Sequence, residues 1–129
     1  MQTYYFARTI DAGMNEAEER VREALESQGF GVLTEIDVTG TLKKKLDVDF
    51  KPYKILGACN PHFALQALQA EDKIGTMLPC NVILQQTAGG QTEVAAVDPI
   101  ASMQSVRNEK LADIAGEVRK LLQTVIEEL

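Results

Sequence analysis

The chain contains no tryptophan, a single histidine and two cysteines, and aromatic residues make up only 5% of it. Each scarcity excludes something. Two thiols are too few for the disulfide framework of a small secreted domain, so the expected compartment is the cytoplasm, with both thiols reduced. One histidine rules out a His-rich metal cluster. No Gly-rich phosphate loop and no Ser/His/Asp arrangement is evident, which leaves nucleotide binding and conventional hydrolysis without support. No apolar run approaches the ~20 residues of a membrane span. The segment from Met1 to Ile10 lacks the basic-then-apolar layout of a secretory leader. Positive charge is also short: 13 basic residues stand against 19 acidic ones, for a net charge of -6. That balance opposes binding to nucleic acid or to an anionic membrane.

What remains is a core built from Leu, Ile, Val, Ala and a few Met. The 129 residues suit one domain over 1–129, with no repeat, low-complexity stretch or Pro/Ser-rich linker. Thr3 to Thr9 (TYYFART) reads as a first strand. Asn15 followed by Glu18 suggests a capping box. Met14, Ala17, Val21, Ala24 and Leu25 then share one helical face, up to a stop at Gly29. Gly31 to Asp37 reads as a second strand, and the four-residue recurrence of Val38, Leu42 and Leu46 predicts a short helix.

Tyr53 to Cys59 reads as a third strand. Asn60-Pro61 is a helix start, with Asn as cap and Pro in the first turn. That helix turns Phe63, Ala64, Ala67 and Leu68 inward. A loop through Gly75 leads to a fourth strand, Asn81 to Thr87. Ala88-Gly89-Gly90 makes a tight turn into a fifth, Glu93 to Val97. Asp98-Pro99 opens a short helical turn through Met103. From Asn108 onward Leu111, Ile114, Ala115, Val118, Leu121, Leu122, Val125, Ile126 and Leu129 form a stripe wide enough to lie on a sheet. The expected fold is α+β and two-layered: an antiparallel sheet of about five strands packed on helices, chiefly the long C-terminal one.

The chemistry-bearing residues gather at the centre. Cys59-Asn60-Pro61-His62 ends the third strand and Pro79-Cys80-Asn81 begins the fourth. If those strands are antiparallel neighbours, Cys59 and Cys80 come together, with His62 one helical turn in, beside them. Three readings compete. Cys59, ahead of a helix N-terminus, could be a reactive thiol with Cys80 as its resolving partner. Cys59, His62 and Cys80 could hold a soft metal such as zinc or copper, three ligands lacking a fourth. Or both thiols could be buried packing residues. Asn60 is explained as a cap. Asn81, in a strand where Asn is disfavoured, bonds to the Asn60 loop or faces a ligand. Asp98 reads as a cap, and Lys43-Lys44-Lys45, with Lys51 and Lys54, as a solvated face.

Several runs resemble domain-of-unknown-function family 302: Gly29-Phe30-Gly31-Val32-Leu33 through Glu35-Ile36-Asp37-Val38, Tyr53 to Pro61, Leu78-Pro79-Cys80-Asn81-Val82, and Asp98-Pro99 with Met103. The resemblance covers nearly the whole chain. It implies a TATA-box-binding-protein-like β-α-β(4)-α fold with helical inserts, and a small prokaryotic protein that often forms homodimers. It implies no established activity or cofactor, and fold alone does not choose a function. The resulting expectation is a homodimeric domain that binds a small ligand or redox species at a pocket around Cys59, Asn60, His62, Cys80 and Asn81. The alternatives are a non-catalytic interaction module and a thiolate metal site.

Overall fold

A computed structural model describes residues 3–129. The sheet has five strands: β1 (Tyr5–Ile10), β2 (Gly31–Asp37), β3 (Tyr53–Cys59), β4 (Cys80–Gln86) and β5 (Thr92–Val97). Their order is β1-β5-β4-β3-β2, and every neighbouring pair is antiparallel. The helices are α1 (Met14–Ser27), α2 (Val38–Leu46), α3 (Pro61–Ala70), α4 (Pro99–Ser102) and α5 (Glu109–Glu127). The fold is α+β, as expected.

The pleat sorts the strands into two faces. Leu56, Ala58, Val82, Leu84, Val94 and Ala96 point inward and are buried. They meet Ala17, Val21 and Leu25 of α1 and Val118, Leu122, Val125 and Ile126 of α5 in one hydrophobic cluster. The stripes read on α1 and α5 are therefore the faces that bury, whereas Leu68 of α3, expected inward, stays exposed. A second, smaller cluster joins Ala67 of α3 to Met103, Leu111, Ala115 and Ile74. Ile74 lies in a 3-10 helix over Asp72–Met77. The sequence reading treats that segment as loop. Its lone buried apolar residue carries too little periodicity to declare itself.

Local signals hold with exceptions. Gly29 ends α1 with φ of +84°, a conformation that disfavours any side chain. Asn108 caps α5, its side chain accepting from the amides of Lys110 and Leu111. The capping box does not form. Gly13 is the cap of α1 and makes no side-chain cap bond, while Glu18 is bound to Lys54 and Arg22. Helix α2 forms where the four-residue spacing places it, yet it buries no residue. Leu46, Val48 and Phe50 stay exposed.

Candidate functional site

Between the two hydrophobic clusters lies a cavity of about 310 Å³. Its floor is the end of β3 and the start of β4, where Ala58 stands directly opposite Cys80. Helices α3 and α5 and the segment around Gly75 and Leu78 form its walls. Leu33 and Leu68 border it while remaining exposed, and so mark its mouth. Leu33 reaches the mouth because the β2–β3 register shifts between Val32 and Thr34. One extra residue there breaks the alternation and re-aims a side chain.

The space exists because small residues face one another. Ala58, Ala64, Ala67 and Ala115 line the cavity from β3, α3 and α5. An alanine on each of several packed surfaces leaves room that larger side chains would fill. No charged residue among those described lines it.

Three of the five sequence-derived candidates border this cavity: Cys59, Asn60 and Cys80. Both cysteines are free thiols. Burial pushes the Cys80 thiol up to about 11, and the charge of a neighbouring Cys59 thiolate adds to the shift. At neutral pH Cys80 is therefore a protonated S–H, a poor nucleophile.

Asn60 precedes α3 as expected, but its side chain makes no capping bond. Its amide instead donates to the carbonyl of Gln28 at 3.5 Å, linking the start of α3 to the end of α1.

The other two candidates lie elsewhere. His62 is exposed and pairs with Gln66 at 3.1 Å, outside the cavity lining. The first turn of α3 carries its ring away from the thiols. Asn81 follows Cys80 in a strand, so alternation turns it to the outer face. There it borders a groove with Tyr4, Tyr5 and Tyr53. The proposed trio of Cys59, His62 and Cys80 is thus not assembled. Among the described residues no group of three His, Cys, Asp or Glu side chains could hold a metal ion.

Sequence reasoning missed Phe30, Leu33, Met103 and Leu111 as lining residues. Apolar spacing marks such residues as inward without saying whether they meet a neighbour or a void. Alanines on the facing elements give no signal either, since an alanine reads the same before a void as before a neighbour.

Polar groups elsewhere have structural partners. Asp98 caps α4 by accepting from Ile100 N–H at 3.0 Å and pairs with Arg119 Nε at 3.1 Å. Lys43 pairs with Asp47 and Asp49 on the exposed face of α2. At the end of β3 away from the cavity, Lys54 binds Glu18 and Glu35, and Arg22 binds the same two carboxylates. Burial alone would raise the Glu18 pKa, but the bonds from Lys54 and Arg22 prevail and hold it below the usual range. Hydrogen bonds to Glu18 and Glu35 raise Lys54.

No helix among the described residues is long and apolar enough to cross a membrane. No curated protein matches the chain. The crystal structure of an uncharacterized conserved protein DUF302 from Bacillus stearothermophilus is similar over 98% of each chain, with 31% identity and a TM-score of 0.91. The family described as domain of unknown function DUF302 matches residues 6–129. The chain belongs to that family.

Proposed function

We propose that this protein binds a small, largely apolar ligand in the cavity bounded by Cys59, Asn60 and Cys80. The supporting observation is the cavity itself: about 310 Å³, apolar-walled and open at Leu33 and Leu68. That is within the size range of small-molecule sites. The raised Cys80 pKa argues against Cys80 as an attacking thiol, because attack requires a thiolate.

A neutral fluorescent dye, N-phenyl-1-naphthylamine, tests the reading. The native protein is expected to enhance its emission, and Ala115→Phe, which fills the space, to abolish that enhancement. Ala64→Phe does the same from a half-buried position if the first variant does not fold. Dye binding equal in wild type and a folded filled variant would overturn the reading, as would no enhancement in wild type.

A second reading concerns the outer face of the sheet. Tyr5, Ile36, Tyr53, Ile55, Ile83 and Ala95 lie on it, exposed or half-buried, opposite the face that meets α1 and α5. Among the described residues its one charged side chain on the strands is Glu93, whose carboxylate accepts from Gln85 at 2.8 Å. In a chain of net charge -6, this nearly uncharged face is where two copies meet with the least repulsion. We infer a homodimer joined there. Sedimentation equilibrium is expected to give a dimer that Ile83→Asp converts to monomer. A wild-type monomer at high concentration would dismiss it.

A further inference from the structure

The cavity offers a guest nothing with which to pair a charge. Among the described residues no Asp, Glu, Lys, Arg or His lines it. Its one carboxamide, on Asn60, is turned to the Gln28 carbonyl. Burial already pushes the Cys80 thiol up to about 11. The space disfavours the charged form of its own ionisable group, and a charged guest would meet the same penalty.

Size and layering narrow the guest further. An apolar cavity of about 150 Å³ holds one benzene. At about 310 Å³ this one has room for roughly two rings. Its small residues are divided between the layers, Ala58 in the floor and Ala64, Ala67 and Ala115 in the helical walls. The missing volume thus lies between sheet and helices, where a flat guest can lie with one surface toward each.

The rest of the wall is more than plain hydrocarbon. Phe30 and Phe63 contribute rings, and Met103, Cys59 and Cys80 contribute sulfur. Both cysteines of the chain and two of its four phenylalanines thus meet at one space. Neither ring has an aromatic partner within it. Phe63 meets His62 edge-on with centroids 5.6 Å apart, and His62 lies outside the lining. Phe30 pairs with no ring among the described residues. Rings attract rings, and sulfur attracts ring edges, beyond what apolar burial alone supplies. A saturated guest would forgo both contacts.

We propose that the cavity takes an uncharged aromatic molecule of about two fused rings. This rests on the ligand-binding reading above and names the chemical class of the ligand. One ring contact and one sulfur contact together are worth about tenfold in affinity over a saturated guest.

The test measures displacement of N-phenyl-1-naphthylamine by compounds that share one carbon skeleton. They are 1-naphthylmethanol, its saturated counterpart decahydro-1-naphthylmethanol, 1-naphthoate and 1-naphthylmethylammonium. The aromatic alcohol is expected to displace the dye at about one-tenth the concentration the saturated alcohol needs. Hydrophobicity alone predicts the reverse order, because the saturated alcohol is the more hydrophobic. The anion and the cation are both expected to be at least about tenfold weaker than the aromatic alcohol.

Phe63→Leu with Met103→Leu removes a ring and a sulfur while keeping the wall apolar. The double variant is expected to narrow the ratio between the alcohols to about threefold or less. If it does not fold, Met103→Leu alone, which conserves volume, is expected to lower the ratio about twofold. Equal displacement by the two alcohols would overturn the proposal, as would a naphthoate or naphthylmethylammonium as effective as the aromatic alcohol. So would a folded variant with an unchanged ratio. Dye binding without the aromatic preference defeats this inference alone. Absence of dye binding by the wild type defeats the cavity reading as well.

Discussion

Pro79 packs against the bare backbone of Gly57: a Cβ built on Gly57 would lie 2.7 Å from Pro79 Cγ and closer still to Thr34 Oγ1. The approach brings the Leu78–Pro79 segment down onto β3 just before Cys80, so it helps shape the cavity floor. Gly57→Ala is expected to cost about 1–3 kcal/mol by overpacking, read by urea denaturation. The Thr34 hydroxyl can rotate away, but the proline ring cannot. Thr34→Ala in the Gly57→Ala background should therefore recover only a minor part of the loss. Full recovery would show that Pro79 is not the obstacle.

Cys80 carries its own pH signature. With the thiol pushed up to about 11, its alkylation by iodoacetamide in the native protein should stay slow at neutral pH and climb steeply above pH 9. Its folded pKa exceeds the unfolded one, so the associated stability is complete below the unfolded value and is lost as pH rises through about 11. Mass spectrometry of each thiol across pH 6–10 (roughly the range below that value) checks this. Rapid modification of Cys80 at neutral pH would contradict the burial.

The cluster on β3 predicts the opposite slope in acid. Glu18 is held below its ordinary range in the folded state. Its contribution is present above the unfolded value and disappears as pH falls through the folded one. Lys54, raised by the same partners, contributes below its unfolded value and loses that contribution as pH rises through the folded one. Lys54→Met should flatten stability against pH at the acidic end, measured by Tm from pH 3 to 7 (about the window of carboxylate titration). An unchanged profile would show the cluster to be decorative.

Asp98 joins two elements through separate oxygens, one accepting from Ile100 N–H and the other from Arg119. Asp98→Asn keeps a capping oxygen and should cost less than Asp98→Ala, which loses cap and ion pair together at about 1–3 kcal/mol. Equal losses in thermal denaturation would assign the whole effect to Arg119.

Much of this architecture was legible in residue order. The stripe from Leu111 to Leu129 declares α5 because burial of one helical face imposes a three-and-four spacing. Gly29 and Asn108 mark helix ends through backbone geometry and side-chain reach. The pairing of β3 with β4 places Cys59 and Cys80 beside one cavity, as the antiparallel reading required. Two candidates lie away from that cavity for reasons that chain proximity conceals. Asn81 is adjacent to Cys80, but pleating sends neighbours to opposite faces. His62 follows Asn60 closely, but helical rotation carries its ring to solvent. The cavity itself was illegible, because a row of alanines looks the same whether a neighbour fills the space before it or leaves it empty.

Ile114 packs against both hydrophobic clusters, and the cavity occupies the seam between them. The molecule thus has a seam, with α3 and α4 packed on α5 at one side of it and the sheet at the other. An occupant of the seam would act as a rivet. It would merge two partly independent unfolding units into one, and amide exchange in α3 would slow toward the rate of the sheet.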